Sequence, residues 1–260
     1  MSESAPAPAA RAAETLWRAW SAGELLDGLP SDQQPSDMGG AYAIQSELDR
    51  FAGSRVGWKL AATGAGGRAA LGVEQPLAGP LYERFALAPG AELEFGAIRM
   101  KTVEAEFGLI LGADLPADQA PFDRAAVLSA LGAFVPAIEI PNTRYRDHRS
   151  AGATLLTADA ALAGFFVLGE PLADFEPEAL PQHPLTLTTA AGTAEGTGAK
   201  VLGDPVEAVR WLANELASHG RGLTAGECVI TGAAAAMREP GAGHVHADFG
   251  ALGSLDLTLA

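Results

Sequence analysis

Cysteine, basic residues and long apolar runs are all scarce in this chain of 260 residues. Cys228 is its one cysteine, so an intramolecular disulfide is excluded, and its neighbours indicate a buried thiol at the start of a strand. No apolar run approaches the ~18 residues that a membrane-spanning helix needs, and the N-terminus lacks the basic and apolar segments of a secretory signal. These absences predict a cytoplasmic protein that does not insert into membranes.

Positive charge is also in short supply. The chain has 17 Lys and Arg against 32 Asp and Glu, which gives a net charge of -15. Such a surface repels the phosphates of nucleic acids and of anionic lipids, so neither is expected as a partner. The hydrophobic content is 48%, which is enough to bury a large core within one catalytic-sized unit.

Apolar residues at helical spacing predict two N-terminal helices, over residues 9–21 and 36–51, and two later ones over 123–132 and 205–219. Short apolar runs between Gly and Pro predict strands over residues 56–62, 98–103, 106–111, 135–140, 162–168, 185–189, 228–231 and 255–259. Because the two types do not alternate regularly, we expect an α+β fold, a mixed β-roll or barrel with peripheral helices. The predicted division is an N-terminal helical region over 1–53, with 1–8 disordered, and a β-rich catalytic domain over 54–260.

One extended segment places two glutamates on the same face. Glu104 and Glu106 are two residues apart, so in a strand they point to one side while Val103, Ala105 and Phe107 point to the other. Two like charges held so close either keep a proton or recruit a cation. A strand with one solvated face is the competing explanation.

Glu139 is a lone carboxylate inside an apolar, strand-like run, where an unpaired charge is costly to bury. A salt bridge to Arg144 or Arg146, which follow closely, would compensate it, and so would a bound cation. Three carboxylates from two strands, Glu104, Glu106 and Glu139, suit a hard cation such as Mg²⁺ or Mn²⁺ and do not suit zinc.

Lys59 is likewise a charge within an apolar strand candidate. It is either an edge-strand lysine whose ammonium reaches solvent or a buried lysine that moves protons or holds an anionic substrate.

Residues 64–69, which follow, match the G-x-G-x-x-A form of the dinucleotide fingerprint. The βαβ context is missing, since Pro76 and Gly79 interrupt the region where the crossover should finish, so a nucleotide site is not expected.

A series of short motifs occurs in an informative order along the chain. They cover residues 41–45, 57–59, 71–76, 103–106, 136–139, 201–205, 211–214, 225–226, 231–233 and 250–254. In this order they resemble the family of 2-keto-4-pentenoate hydratases and 4-oxalocrotonate decarboxylases, within the fumarylacetoacetate hydrolase superfamily. The resemblance extends from about residue 15 to the C-terminus and implies the β-roll or barrel of the superfamily's C-terminal domain.

The resemblance also implies a function. Glu104, Glu106 and Glu139 would be ligands of Mg²⁺ or Mn²⁺, with Lys59 as the catalytic lysine. Further implied roles are proton transfer by Asp159 and Glu74, and substrate contacts from Lys59, Thr231, Gly232 and Arg144. The implied reaction is metal-dependent addition of water to a small 2-hydroxy-2,4-dienoate or 2-oxo-enoate from the breakdown of aromatic compounds. A homo-oligomer and a pathway partner enzyme are expected as well.

Two positions depart from the family's pattern. Ala160 stands where the family usually has Asn, and Leu77 stands where many hydratases carry an acid, with Glu74 as the nearest upstream carboxylate. These departures leave alternatives open: a decarboxylase or carbon–carbon hydrolase that uses the same metal site, or a non-catalytic accessory paralogue. The basic run over residues 144–149 either binds a second substrate carboxylate or caps a surface loop.

Overall fold

Six α-helices and twelve strands form the part of the protein that the structure, a computed structural model, describes: residues 7–260. The helices are α1 (Pro8–Ala22), α2 (Met38–Ala52), α3 (Ala65–Leu71), α4 (Arg124–Ala130), α5 (Gly152–Ala158) and α6 (Pro205–Ser218). The strands are β1 (Arg55–Ala61), β2 (Leu77–Tyr82), β3 (Ala86–Leu87), β4 (Glu92–Leu93), β5 (Thr102–Leu111), β6 (Leu131–Ile140), β7 (Phe165–Leu168), β8 (Pro184–Thr189), β9 (Gly192–Thr197), β10 (Cys228–Arg238), β11 (Gly243–Asp248) and β12 (Ser254–Leu259).

The strands form two mixed sheets. The larger has seven strands in the order β2-β1-β10-β5-β6-β7-β3, and the smaller has five in the order β4-β12-β11-β8-β9. β1 runs parallel to β10, whereas β5 is antiparallel to both β10 and β6. The predicted α+β roll with peripheral helices is therefore confirmed. β2 runs antiparallel to β1, so the glycine-rich segment between them lies in no βαβ unit.

Successive side chains of a strand point to opposite faces of the sheet, and this alternation decides which side chains of β5 and β6 fill the main core. One face of β5 and β6 contributes apolar residues that pack against the smaller sheet and α6. Phe107 lies edge-on to Phe134 and Phe249, with ring centroids 5.9 and 5.6 Å apart. The opposite face of the same strands is therefore left to carry the polar residues described below.

The N-terminal helices share a second core with the strand-rich part of the protein. Leu16 of α1 and Ile44 and Leu48 of α2 pack in one cluster with Tyr82 of β2 and Tyr145. The described part of the helical region, residues 7–53, thus packs directly on the sheet. Residues 1–6 of that region lie outside the described part of the chain.

Polar and proline residues set the helix ends. The expected disorder of residues 1–8 is wrong for Pro8, which opens α1, a position where its missing N–H is not needed. The carboxylate of Asp37 accepts a hydrogen bond from Gly40 N at 2.8 Å at the start of α2. Asp204 caps α6 in the same way through Val206 N. All four predicted helices are present, with shifts of at most a few residues at their ends.

Several elements differ from the predictions. The strand predicted over 98–103 begins only at Thr102, because Ile98 is buried in a loop before it. β10 continues far beyond Thr231, since its alanine-rich end keeps pairing with β5. Cys228 opens that strand and is 3% exposed, which confirms a buried thiol. No described helix is both long and apolar enough to cross a membrane.

Candidate metal centre

Three carboxylates meet on the face of the larger sheet that looks away from the main core. Glu104 of β5 lies directly opposite Glu139 of β6, and Glu106 follows two residues along β5, opposite Ala137. Carboxylate oxygens of the three glutamates lie within 4.8 Å of one another. Glu106 and Glu139 are fully buried, whereas Glu104 is partly exposed. The strand register alone thus brings the group together.

The apolar neighbours of these glutamates hold them in place. Val103, Ala105 and Phe107 alternate with Glu104 and Glu106 along β5 and are fully buried in the main core. Their burial fixes which face of the strand the two glutamates occupy. The alternative of a strand with a solvated face is wrong at Glu106, which is fully buried, although Glu104 on the same face is partly exposed.

Lys59 adjoins this group from β1. The strand lies inside the sheet, between β2 and β10, and the side chain is only 1% exposed, so the alternative of an edge-strand lysine is wrong. Its Nζ lies 3.2 Å from Glu139 Oε2 and donates a hydrogen bond of 3.4 Å to the carbonyl oxygen of Ala161. Glu139 is thus paired with Lys59, and not with Arg144 or Arg146.

Burial controls the charge states of the group. Desolvation, together with Glu139 and Glu104, raises the pKa of Glu106 well above its ordinary value. Desolvation also raises the pKa of Glu139, to about 8, although the Lys59 ammonium acts in the opposite direction. For Lys59 burial favours the neutral form, but the three carboxylates outweigh it and raise the pKa. The group therefore holds excess negative charge that a proton or a cation has to compensate.

The buried oxygens are also short of hydrogen-bond donors. Glu106 Oε2 accepts a 2.6 Å hydrogen bond from Gly232 N, but Glu106 Oε1 and Glu139 Oε1 accept none within the described part of the chain. Buried carboxylate oxygens without donors are expensive. A hard divalent cation, which prefers oxygen ligands, would satisfy both oxygens at once. The donor set therefore fits such an ion.

Comparisons with known proteins identify the relatives of this chain. No family model matches the chain. A TodF product hydratase from Pseudomonas putida is 34% identical over 87% of this chain and 85% of its own, and a 2-keto-4-pentenoate hydratase from Burkholderia vietnamiensis is 33% identical over 95% of both. The chain belongs to the 2-keto-4-pentenoate hydratase family.

A solved structure extends the family likeness to the whole fold. The 4-oxalocrotonate decarboxylase from Pseudomonas putida G7, complexed with calcium and acetate, is 26% identical and matches with a TM-score of 0.85 over 97% of both chains. The same enzyme complexed with magnesium and adipate matches equally well, at 24% identity. The fold predicted from the motifs is confirmed, and the protein is related to enzymes.

Asp159 and Arg144 bind each other in this member of the hydratase family. The Arg144 guanidinium donates to an Asp159 carboxylate oxygen and to the Asp159 carbonyl. The other carboxylate oxygen accepts bonds of 2.9 Å from Thr143 Oγ1 and from Arg144 N. Both side chains are buried, and the guanidinium carbon of Arg144 lies 4.2 Å from the Trp20 ring centroid. The predicted proton transfer by Asp159 and substrate binding by Arg144 would require this ion pair to open.

Glu74 lies away from the glutamates' partner Lys59, whereas Thr231 lies beside the site with its hydroxyl engaged, and the roles predicted for both stay predictions. Glu74 is exposed in the turn between α3 and β2 and has no described contact with Lys59. Sequence proximity to the Gln-Pro pair suggested it, but the chain turns it toward solvent. Thr231 is buried beside Gly232, yet its hydroxyl donates a 2.8 Å hydrogen bond to the Phe107 carbonyl. That hydroxyl is therefore engaged with the backbone.

Thr63 lies against Gly232 next to the glutamates, a neighbour that the sequence did not reveal. It is 3% exposed, and its hydroxyl makes no hydrogen bond to the described part of the chain. A Cβ on Gly232 would lie 2.1 Å from Thr63 Oγ1, so the hydroxyl packs against the residue whose N–H holds Glu106. Gly232 has a φ of 107°, which also favours glycine. The available signal in the sequence was a polar residue directly after an apolar strand candidate.

Proposed function

We propose that this protein is a divalent-metal-dependent hydro-lyase that adds water to a small 2-hydroxy-2,4-dienoate or 2-oxo-enoate. The observation that carries the proposal is the buried group of Glu104, Glu106 and Glu139 with the Lys59 ammonium 3.2 Å from Glu139. The relatives named as 2-keto-4-pentenoate hydratases support the reaction class.

The three glutamates would hold Mg²⁺ or Mn²⁺. Their oxygens are hard ligands, and histidine and cysteine, which zinc prefers, are absent from the group. Lewis-acid polarisation of the carboxylate and C2 oxygens of a 2-oxo acid is the chemistry that such a cation supplies when bound. The N–H of Gly232 orients Glu106, and the partly exposed Glu104 lies on the side from which a substrate can enter.

Lys59 is the residue that would move protons. Hydration of a dienoate requires a proton to leave the C2 hydroxyl, a proton to reach the far end of the diene, and a water molecule to add to the resulting enone. The Lys59 ammonium is buried, held by Glu139 and the Ala161 carbonyl, and therefore has a fixed position from which to give and recover a proton. In the metal-free site the three carboxylates raise the pKa of Lys59.

A decarboxylase or carbon–carbon hydrolase would use the same carboxylates, and an accessory paralogue would keep them without turnover. The reaction is tested by following the ultraviolet absorbance of 2-hydroxypenta-2,4-dienoate with Mg²⁺ and identifying the product by NMR. The proposal predicts a 4-hydroxy-2-oxo acid and no release of carbon dioxide. Unchanged absorbance with metal present would contradict it and favour the accessory role.

The metal requirement has its own test. Thermal melting with and without Mg²⁺ or Mn²⁺ is compared among the wild type, Glu104→Gln, Glu139→Gln and the exposed control Glu170→Gln. The wild type and the control should gain stability with metal, and the two site variants should lose that gain. An equal response in all four proteins would overturn the metal site.

The assembly and location of the protein complete the proposal. We expect a homo-oligomer in the cytoplasm that takes its substrate from a pathway partner enzyme, as the resemblance implies. Light scattering coupled to size exclusion measures the oligomeric state, and a monomeric mass would contradict that expectation.

A further inference from the structure

One buried amide side chain joins three elements beside the candidate metal centre. Gln45 of α2 is fully buried, and its Nε2 donates hydrogen bonds of 2.7 Å to the carbonyl oxygen of Ala78 in β2 and 2.5 Å to that of Thr157 in α5. A carboxamide nitrogen carries two hydrogens, so both are used. The two acceptors lie 33 and 112 residues from Gln45 along the chain. Gln45 therefore connects elements that only the fold brings together.

The end of α5 is held by this amide. The last four carbonyl groups of an α-helix have no partner within the helix. In α5 the Leu155 carbonyl accepts a hydrogen bond from Asp159 N, and Thr157, which is fully buried, lies beyond that bond. A buried carbonyl without a donor is costly. Gln45 supplies the donor for Thr157 and so fixes the point where α5 ends.

The turn that follows α5 has an uncommon conformation. Ala160, Ala161 and Leu162 have φ angles of 54°, 49° and 67°, in the left-handed region that side chains disfavour. A Cβ on Gly79 would lie 1.8 Å from the Ala160 carbonyl oxygen, so the turn rests directly on β2. Strained backbone of this kind persists only where its surroundings fix it. The turn therefore needs fixed neighbours on both sides, in α5 and in β2.

Gln45 holds both of these neighbours, because its two acceptors lie just before the turn and just before Gly79. Gly79 lies opposite Lys59 in the β1–β2 pairing. The Lys59 Nζ donates a 3.4 Å hydrogen bond to the Ala161 carbonyl of the turn and lies 3.2 Å from Glu139 Oε2. The position of this ammonium therefore depends on the position of the turn.

We propose that Gln45 is a positioning residue for Lys59: it holds the turn after α5 in the place where the Ala161 carbonyl binds the Lys59 ammonium. The inference rests on the proposed function for its kinetic consequence, since Lys59 is the group that would move protons. Without the two hydrogen bonds the turn relaxes toward ordinary backbone angles, and the Ala161 carbonyl moves away from Lys59. The ammonium then keeps Glu139 as its partner and shifts toward it.

A spectroscopic test uses the scarcity of lysine. Lys59, Lys101 and Lys200 are the lysines of the chain, so protein with isotope-labelled lysine Cε gives few NMR signals, and the Lys59 signal is the one absent from Lys59→Met. Spectra are recorded after chelator treatment, so that bound metal does not contribute. In Gln45→Met, which keeps the size of the side chain but has no donor, we expect the Lys59 signal to shift while the signals of Lys101 and Lys200 stay in place.

Thr157→Val is the matched control. It removes a buried hydroxyl that has no hydrogen-bond partner in the described part of the chain and keeps the carbonyl that Gln45 binds. The Lys59 signal of this variant should stay where it is in the wild type. The same Lys59 signal in Gln45→Met and the wild type would overturn the inference, and so would equal shifts in Gln45→Met and the control.

The kinetics of hydration measure the consequence. We expect Gln45→Met to lower kcat by roughly 10- to 100-fold, because the proton carrier is displaced, while KM and the Mg²⁺-induced gain in melting temperature stay unchanged. A rise in KM at unchanged kcat would overturn the inference. If the wild type does not turn over the dienoate, the proposed function fails, and the NMR comparison still tests the position of Lys59.

Melting curves show whether the variants fold. Should Gln45→Met be unfolded, Gln45→Asn takes its place, since it keeps the amide but is too short to reach both carbonyls. The same shift of the Lys59 signal is expected. Unfolding of both variants would make Gln45 a purely structural residue and would overturn the inference.

Discussion

Glu104 and Glu139 face each other across the β5–β6 pair, and Lys59 reaches the second of them from β1. Like charges directly opposite each other destabilise an antiparallel pair. The single Lys59 ammonium cannot neutralise three carboxylates. The metal-free site is therefore an electrostatically unfavourable arrangement in a folded protein, and this is what a bound divalent cation would relieve.

This arrangement predicts how stability depends on pH. The pKa of Glu139 rises from 4.5 to about 8 on folding, so between these values the folded state holds a proton that the unfolded state has lost. The unfolding free energy of the metal-free protein should therefore fall as pH rises through that window. The raised pKa of Glu106 acts in the same direction. Melting temperatures of protein treated with a chelator measure the effect.

The control for this prediction is the same titration of Glu139→Gln, which should show a smaller fall because one titrating group is gone. Saturating Mg²⁺ should also reduce the fall, since metal binding favours the ionised carboxylates. A melting temperature that rises with pH in the metal-free wild type would contradict the prediction.

Lys59 should matter for turnover more than for metal binding. Replacing it in Lys59→Met removes the proton carrier beside Glu139, and we expect kcat to fall by roughly 10²–10⁴-fold. The metal-induced gain in melting temperature should persist, because the three carboxylates remain and have lost a competing cation. The exposed Lys200→Met serves as control and should keep full activity. Retention of wild-type kcat in Lys59→Met would rule out the proton-transfer role.

The candidate metal group could be predicted from sequence because it depends on local geometry. Glu104 and Glu106 share a face in any strand, and Glu139 stands out as a charge in an apolar run. The pairing of Glu139 with Lys59 could not be predicted, since it requires β10 to lie between β1 and β5. No spacing of residues along the sequence specifies the order of the strands in the sheet.

Three other features were not visible in the sequence for related reasons. No strand was predicted over residues 77–82, where β2 forms the edge of the larger sheet and the missing N–H of Pro80 is tolerated. The β9 and β11 strands are rich in Gly, Thr and His and lack an apolar run. Thr63 meets Gly232 only through the fold, so neither residue signals the other in the sequence.

Thr63 should contribute to substrate binding through its unpaired hydroxyl. Thr63→Val keeps the shape of the side chain but removes this group, and we expect kcat/KM to fall by roughly tenfold, with Thr63→Ser restoring it. Thr231→Val is the matched control, because the Thr231 hydroxyl is bonded to the Phe107 carbonyl. It should lower the melting temperature and leave kcat/KM within about threefold. Equal kinetics for Thr63→Val and wild type would exclude the contact.

The Asp159–Arg144 pair should act on stability. Both groups are buried, and Asp159→Asn leaves the Arg144 guanidinium without its anion, so we expect the unfolding free energy to fall by about 3–5 kcal/mol. Arg144→Leu should lower it by a similar amount, and the double variant should lose less than the sum of the two because the unpaired charge is gone. Urea unfolding measures all three. A stable Asp159→Asn protein that has lost turnover would instead support the proton-transfer role predicted for Asp159.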